Sequence, residues 1–208
     1  MKRLVIIGAS GHGRVCAEIA ELSNKYNEII FLDDDVCLKK SGKYSVNGVS
    51  GDFYRYLNGD TVYFVAIGDS NHRKRIMNEI KNAGGVFAVL IHPGAIVSEG
   101  VECGNGSVIM PGAVVNTGTV IGEGVIINTS SSVDHDCVIG AWSHIAVGAH
   151  LCGTVVVGVK CWIGAGAVIS NNISIISETV VGAGTVVVDD IHVPGTYIGV
   201  PARPMVRK

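Results

Sequence analysis

The 208-residue sequence has little charge, few aromatic side chains and no long apolar run. Charged residues make up 16% of the chain and aromatic residues 6%, and the formal net charge is −2. A chain with so small a charge imbalance is not expected to be a general binder of nucleic acid or of anionic membranes. No apolar run approaches the roughly 20 residues that span a bilayer. We therefore expect neither nucleic acid nor membrane as a partner.

The sequence also lacks paired cysteine motifs, and its first residues are not expected to be a signal peptide. Its six cysteines form no CxxC pair, and residues 1–8 read as a strand that runs into glycine rather than as a signal peptide. Cys103, Cys137 and Cys161 fall at inward or small positions of the repeat described next, which favours reduced thiols in a core. These features predict a cytoplasmic protein.

A six-residue repeat organises residues 91–198. Every sixth residue from Ile91 to Val193 is Ile, Leu or Val in seventeen of eighteen cases, with Cys103 as the exception. The residue four positions later is small (Ala, Ser, Thr, Val or Cys) in fifteen of the eighteen. A period of six fits neither an α-helix nor a single alternating strand. It is typical of a parallel β-helix.

The alternation of side chains along short strands explains this spacing. Each aliphatic residue and the small residue two positions before it face the same way, which we expect to be inward. Glycine follows the aliphatic by three positions in nine repeats, as at Gly100, and glycine accepts a left-handed corner without strain. Three sides of six residues give a coil of about eighteen residues, so the repeat predicts about six coils. The alternative, a β-sandwich, would have variable turns and would lose the register.

The beginning of the chain has a different pattern. Residues 3–8 read as a buried strand, residues 8–13 as a glycine-rich turn, and Val15, Ile19 and Leu22 as one side of a helix. This order opens a nucleotide-binding βαβ unit, and the N–H groups at the helix start suit a phosphate. The turn lacks the complete GxGxxG pattern, which argues against specificity for a dinucleotide. A simple tight turn between strand and helix is the alternative.

Two further strands are predicted in this region. Glu28–Leu32 ends at Asp33 and Asp34, and Thr61–Ile67 ends at Gly68 before a helix over residues 71–83. An acidic residue after the second strand often contacts a ribose or base, although a solvated turn explains it equally well. We predict an α/β, Rossmann-like domain over residues 1–88 and an all-β, left-handed parallel β-helix with a C-terminal tail over residues 89–208.

One segment of the repeat carries candidate catalytic residues. His135 lies at or near an exterior corner and is followed directly by Asp136, and a histidine backed by a carboxylate can act as a general base. Gly153 comes eighteen residues later, so it should stack on His135, leave space for it and offer an N–H to an oxyanion. The alternative is that His135 is an ordinary polar residue at a surface corner.

Several motifs together resemble those of the sugar-nucleotide acetyltransferases of the hexapeptide-repeat superfamily. The similarity is greatest to UDP-4-amino-sugar N-acetyltransferases of bacillosamine synthesis, with sialic acid O-acetyltransferase-like proteins and perosamine N-acetyltransferases as near relatives. The resemblance covers essentially the whole chain. The motifs that carry it are residues 8–13, 31–34, 66–68, 128–130, 135–140 and 199–202.

The resemblance implies an acetyl-CoA-dependent N-acetyltransferase that acts on the 4-amino group of a nucleotide-linked amino-dideoxy sugar, with UDP as the nucleotide. It implies a homotrimer with active sites between subunits. His135 would be the general base and Asp136 would raise its basicity, although the bacillosamine enzyme has a glutamate there. The remaining roles that it implies are substrate binding by Ser10, Gly11, His12, Asp33, Asp34, Gly68 and Asn128, and acetyl-CoA binding by His144, Gly153, Ala165 and Ala183.

Other functions remain open from the sequence. The acceptor could be a hydroxyl of sialic acid or the amine of GDP-perosamine, and a sugar-nucleotide-binding scaffold or a dinucleotide-dependent oxidoreductase are more distant alternatives. We expect no metal, because zinc-dependent β-helix carbonic anhydrases need three histidines, the last two separated by four residues. Here His144 and His150 are separated by five. Each of these two histidines could also be solvated surface.

Overall fold

A computed structural model describes residues 2–205. The chain forms two compact units that divide between Pro93 and Gly94. The first unit is α/β and the second is a left-handed parallel β-helix, so the predicted fold class is confirmed.

The first unit is built on a three-stranded parallel sheet in which Arg3–Ile7 lies between Glu28–Leu32 and Thr61–Val65. Leu4 in the central strand pairs with Ile29 on one side and with Val62 on the other. Between Leu32 and Ser50 the chain forms a short antiparallel hairpin, in which Lys40–Ser41 pairs with Tyr44–Ser45. In chain order the elements are β1 (Arg3–Ile7), α1 (Gly11–Leu22), β2 (Glu28–Leu32), β3 (Lys40–Ser41), β4 (Tyr44–Ser45), a 3₁₀-helix (Ser50–Tyr56), β5 (Thr61–Val65), α2 (Ser70–Asn82) and β6 (Leu90–Ile91).

Close packing at the turn after β1 requires glycine. Gly8 has φ +101°, and a Cβ at Gly13 would collide with the carbonyl oxygen of Gly8. The two glycines therefore let α1 begin directly against the end of β1. Of the side predicted from Val15, Ile19 and Leu22, Ile19 is buried and Leu22 is exposed, and the small residues Ala17 and Ala20 are also buried.

The second unit winds through three parallel faces, which we call the first, second and third in the order that the chain visits them. Val115 pairs with Val97 and Val133, so neighbouring coils are offset by eighteen residues. The first face comprises β7 (Ile96–Val97), β10 (Val114–Val115), β13 (Ser132–Val133), β16 (His150–Leu151), β19 (Val168–Ile169) and β22 (Val186–Val187). The second comprises β8 (Glu102–Cys103), β11 (Val120–Ile121), β14 (Val138–Ile139), β17 (Val156–Val157) and β20 (Ser174–Ile175). Within this unit the third comprises the parallel strands β9 (Val108–Ile109), β12 (Ile126–Ile127), β15 (His144–Ile145), β18 (Trp162–Ile163), β21 (Val180–Val181) and β23 (Thr196–Ile198), followed by β24 (Arg203–Pro204), which pairs antiparallel with β23.

The repeat places its aliphatic residues in the core, except near the two ends of the pattern. Every sixth residue from Ile109 to Val187 is buried, and so are the small residues two positions before them. Ile91 and Val193, the first and last members of the predicted series, are exposed. A terminal residue of the series lacks a further coil on one side, so the sequence pattern extends beyond the region it can bury.

A left-handed backbone recurs at every sixth residue from Gly100 to Glu178 and on to Gly184. Among the described residues, eight of these corner positions are glycine with positive φ, and Gly94 is the one predicted corner glycine that lacks it. Seven further corners have positive φ without glycine, which the sequence did not predict. They are Ser130, Asp136, Trp142, Thr154, Lys160, Asn172 and Glu178.

Candidate active site and substrate cleft

His135 lies on the edge of the prism that joins the first face to the second, which we call the His135 edge (residues 116–119, 134–137 and 152–155). Its Nδ1 lies 2.9 Å from Oδ2 of Asp136. Backbone bonds hold this corner from both sides, since Asp136 N donates to Thr117 O at 3.0 Å and Thr154 N donates to His135 O at 2.9 Å. The two side chains predicted to act together are therefore adjacent on a fixed corner.

Asp136 itself occupies a left-handed corner position, with φ +58°. Asp tolerates this conformation better than most non-glycine residues. A Cβ at Gly118, one coil before, would collide with the Asp136 carboxylate, so glycine there leaves room for it. In this conformation the carboxylate lies within hydrogen-bond distance of Nδ1 of His135.

The carboxylates beside His135 make its imidazole more basic. The hydrogen bond to Asp136 raises the pKa of His135 above its ordinary value, and the charge of Asp134 acts in the same direction. Because the ring is exposed, desolvation opposes this only weakly. If Nδ1 carries the proton that Asp136 accepts, Nε2 is the nitrogen that can take a proton from a substrate.

Gly153 stacks on His135 as the sequence spacing predicted. A Cβ at Gly153 would come within 2.5 Å of Nε2 of His135 and 2.6 Å of Cε1. No hydrogen bond from the Gly153 N–H to an acceptor is found among residues 2–205. That donor is therefore available to a ligand, as an oxyanion-binding group requires.

A second group of predicted residues lies on a different edge, where the third face turns into the first. We call this the Ala165 edge (residues 128–131, 146–149, 164–167 and 182–185). Ala165 and Ala183 are on consecutive coils, and Gly184 N donates to Ala165 O at 2.9 Å. The space in front of Gly148, Gly166 and Gly184 is open, since a Cβ at any of them would meet nothing within 4 Å. This edge is a bare backbone ridge that an extended ligand could follow.

Asn128, in the first segment of the Ala165 edge, is hydrogen-bonded to His144. Asn128 Oδ1 accepts from Thr129 N at 2.8 Å, which turns its Nδ2 towards Nε2 of His144, 2.9 Å away. An amide nitrogen only donates, so Nε2 of His144 accepts and the ring proton is on Nδ1. His144 is only 8% exposed and packs beside the Trp162 ring at 4.3 Å.

Within one chain, the predicted catalytic and acetyl-CoA residues are therefore not all brought together. His135, Asp136 and Gly153 share the His135 edge, whereas Asn128, Ala165 and Ala183 share the other. His150, the remaining candidate histidine, is exposed on the first face and lies 2.8 Å from Ser132 Oγ through its Nδ1.

The first unit contains a cleft of about 270 Å³ at the carboxyl ends of its three parallel strands. Ser10, Asp33, Asp34 and Gly68 line it, which places four of the predicted substrate residues together. Gly11 and His12 are not among the residues that line it. The other lining residues are Ile7, Gly8, Ser50, Ala66, Ile67 and His72, of which Ser50 and His72 were not singled out in the sequence.

Asp33 and Asp34 have different roles in this cleft. Both oxygens of Asp33 accept backbone N–H groups, from Ala9 at 2.6 Å and Asp35 at 2.9 Å, so this carboxylate mainly shapes the loops. Asp34 accepts from Ser50 N at 2.8 Å. Partial burial alone would raise the pKa of Asp34, but the bonds from Ser50 and nearby positive charge outweigh it and lower the pKa. Asp34 is thus the carboxylate better placed to contact a ligand.

Neither His12 nor Arg73 is among the residues that line the cleft. Arg73 is buried, and its Nη1 donates to Ile67 O at 2.6 Å and Gly68 O at 2.8 Å, which fixes the turn after β5. Burial, together with the charge of Arg73, lowers the pKa of His12 to about 4. His12 is therefore neutral near pH 7.

The described part of the chain offers neither a metal site nor a membrane span. No group of three or more His, Cys, Asp or Glu side chains within residues 2–205 could hold a metal ion. None of the helices there is long and apolar enough to cross a membrane.

All six cysteines are free, and burial raises the pKa of Cys137, which points into the core as predicted.

A known family and a curated protein each match part of the chain. Residues 3–80 match the family described as the PglD N-terminal domain. The chain is 34% identical over 112 residues to UDP-N-acetylbacillosamine N-acetyltransferase of Bacillus subtilis (strain 168). That match covers 53% of this chain and 52% of the Bacillus protein, so the aligned part spans about half the length of the curated relative.

Solved structures match over nearly the whole chain. The acetyltransferase domain of PglB from Neisseria gonorrhoeae FA1090, in complex with acetyl coenzyme A, is 40% identical with a TM-score of 0.94, and the match covers 98% of this chain and 99% of that one. PerB from Caulobacter crescentus, in complex with CoA and GDP-perosamine, is 33% identical with a TM-score of 0.93, with coverage of 99% and 98%.

Proposed function

Because this chain belongs to the family of hexapeptide-repeat sugar-nucleotide acetyltransferases, we propose that it transfers the acetyl group of acetyl-CoA to the 4-amino group of a UDP-linked amino-dideoxy sugar. The observation that carries the proposal is the exposed His135–Asp136 pair, 2.9 Å apart, with Gly153 stacked on the imidazole. A histidine–carboxylate pair that can act as a general base favours an enzyme over a scaffold that only binds the sugar nucleotide.

The proposed reaction is a direct transfer. The neutral sugar amine attacks the thioester carbonyl carbon, and Nε2 of His135 takes a proton from the amine as the C–N bond forms. The Gly153 N–H donates to the oxyanion of the tetrahedral intermediate. The C–S bond then breaks, and CoA leaves as a thiolate that takes up a proton. An acyl-enzyme on Cys137 is not needed, and its buried thiol is poorly suited to one.

The cleft of the first unit is proposed to hold the nucleotide. The Ser10 side chain does not cap α1, so the N–H groups of the first turn of the helix remain available for a diphosphate. Asp34 is an ionised acceptor at the same cleft, suited to an imide or amide N–H of the base. We propose that Ser10, Gly11 and Gly68 contact the phosphates, that Asp34 contacts the nucleoside, and that Asp33 and His12 support these contacts from behind.

A homotrimer with active sites between subunits is part of the proposal. The His135 edge and the Ala165 edge lie on different edges of one prism, so a single ligand could meet both more easily between two copies of the chain. A row of half-exposed valines on the second face, Val120, Val138 and Val156, is also suited to burial in an assembly. In this arrangement acetyl-CoA follows the Ala165 edge with His144 beside it, and Asn128 lies near the sugar amine. The six free cysteines favour a cytoplasmic setting.

GDP-perosamine is the second candidate substrate. It is favoured by the similarity to PerB, whose structure contains CoA and GDP-perosamine. Guanine also offers N–H donors that Asp34 could accept, so the carboxylate alone does not choose between the two nucleotides.

The test is an acceptor panel with acetyl-CoA. UDP- and GDP-linked 4-amino sugars, the free amino sugars and sialic acid are incubated with the protein, and CoA is measured by chromatography, because exposed Cys37 would react with a thiol reagent. We expect amide formation on a UDP-4-amino sugar. Acetylation of a hydroxyl, or no CoA release with any nucleotide-linked amine, would contradict the proposal. UDP and GDP are compared in parallel by thermal stabilisation, where ligand at about 100 times Kd adds about 2.7 kcal/mol.

A further inference from the structure

Asp134, the residue before His135, makes contacts that tie the corner to the preceding coil. Its Oδ1 accepts from Asn116 Nδ2 at 2.8 Å and from the backbone N–H of His135, also at 2.8 Å. Its carbonyl oxygen accepts from Thr119 Oγ1 at 2.8 Å. The carboxylate is therefore held in place through Asn116 while it binds the backbone of His135.

We propose that Asp134 is a positioning residue for His135, which fixes the backbone of that corner and supplies a second negative charge next to the imidazole. Asp136 bonds to Nδ1 of the ring, whereas Asp134 binds the main chain and acts on the ring only through its charge. The two carboxylates thus have separate roles, since Asp136 orients the ring and Asp134 orients the segment that carries it.

The charges around the imidazole support this division. The groups that raise the pKa of His135 are Asp136, through its hydrogen bond, and Asp134, through its charge. The residues stacked on the corner, Thr117 in the coil before and Gly153 in the coil after, are uncharged. No other titratable side chain is identified as acting on His135.

Asp134 remains ionised where His135 titrates. The hydrogen bond from Asn116 and the bond from the His135 N–H hold the pKa of Asp134 below its usual value. A protonated histidine is favoured by neighbouring negative charge, so removing the Asp134 charge makes the imidazole a weaker base that loses its proton at lower pH. The inference rests on the proposed role of His135 as the base of the acetyl transfer.

The variant Asp134→Asn separates charge from geometry, because its amide oxygen can still accept from the His135 N–H. The first measurement is the NMR titration of the His135 imidazole in the intact protein, assigned by the signal that His135→Gln removes. We expect the midpoint to move to lower pH in Asp134→Asn and also in Asp136→Asn. Asp189→Asn is the matched control: it removes a carboxylate about three coils along the chain from His135, roughly 14 Å at the usual strand spacing, and should leave the midpoint unchanged.

The second measurement is the pH profile of kcat/KM. We expect the acidic limb in Asp134→Asn to move in the same direction as the NMR midpoint, and the plateau to fall by less than about tenfold, because the base remains but is weaker. A merely structural role would lower the rate without moving the limb. If Asp134→Asn fails to fold, Asp134→Ser provides the same test with a smaller side chain.

An unchanged His135 midpoint in a folded Asp134 variant would overturn the inference. The titration requires no substrate, so it decides the role of Asp134 even if the acceptor panel shows no acetylation. If the wild-type protein acetylates the amine but the midpoint of His135 is unchanged in Asp134→Asn, the proposed function stands and only this inference fails.

Discussion

The imidazole of His135 occupies the space that a side chain at Gly153 would fill. A Cβ at Gly153 would lie 2.5 Å from Nε2, well inside a van der Waals contact, and Gly153 does not have a positive φ. The absence of a side chain at this position is therefore explained by the neighbouring ring and not by the backbone. The relationship ties a residue in one coil to the proposed base in the coil before it.

Gly153→Ala should therefore reduce activity while the fold is retained. The methyl group would push the imidazole away from its position and cover the adjacent N–H, so we expect kcat to fall by about 10²-fold or more, as for loss of an oxyanion donor. Steady-state kinetics with both substrates saturating checks this. Gly195→Ala is the matched control in the same unit, because its nearest neighbour would be 3.9 Å away and its φ is not positive. Equal activity of the two variants would contradict the packing argument.

His135→Gln should lower kcat by about 10²–10⁴-fold, the usual contribution of a general base. The side chain is exposed, so the melting temperature should change little. Binding of acetyl-CoA, measured by calorimetry, should persist in the variant. Near-normal turnover in saturating substrates would show that another group takes the proton.

The half-buried His12 should make the protein less stable in mild acid. Its pKa is lowered to about 4 in the folded state from an ordinary value of 6.5, so between these values the unfolded chain binds a proton that the folded chain does not. Stability should consequently fall as the pH drops, by about 2 kcal/mol from this group between about pH 7.5 and pH 5. Urea unfolding at both pH values measures it.

The control for this linkage is a pair of variants. His12→Gln should show a smaller loss of stability between the two pH values, whereas His192→Gln, at an exposed position, should behave as wild type. The same pH dependence in His12→Gln and wild type would mean that His12 is protonated in the folded protein.

Adjacent isoleucines at the end of the second face provide a direct test of the inward register. Ile175 is 2% exposed and Ile176 is 41% exposed. Ile175→Ala should cost about 2–5 kcal/mol by leaving a cavity in the core, and Ile176→Ala under about 1 kcal/mol. Denaturant unfolding at one fixed protein concentration compares them. Similar losses in both variants would be inconsistent with the inward and outward assignment.

The repeat predicted the β-helix core well. Each inward residue is set by the alternation of side chains along its strand and by the residue eighteen positions away on which it stacks. It did not predict which members at the two ends of the series are exposed, since burial there depends on whether another coil follows. The corners were predicted only where they are glycine. Asp136 and Trp142 adopt the same left-handed conformation because the coil imposes it, whatever side chain is present.

The candidate site was predicted where residues are related by the coil length. His135 and Gly153 are eighteen residues apart, and so are Asn116 and Asp134, a contact that the same spacing would have revealed but that was not singled out. Ser50 and His72 could not be placed in this way, because their position in the cleft depends on the path of loops between elements of the first unit. The partial burial of His12 likewise follows from tertiary packing.

The coil length also limits how the chain can change in length around the proposed base. An insertion of six residues between His135 and Gly153 would keep every aliphatic residue pointing inward and would leave the core intact. It would nevertheless carry Gly153 to the next edge of the prism and place a different residue over the imidazole. A six-residue insertion would therefore keep the protein folded but separate the base from Gly153. Insertions that preserve the site must instead form a loop that protrudes from the β-helix and returns to the same corner.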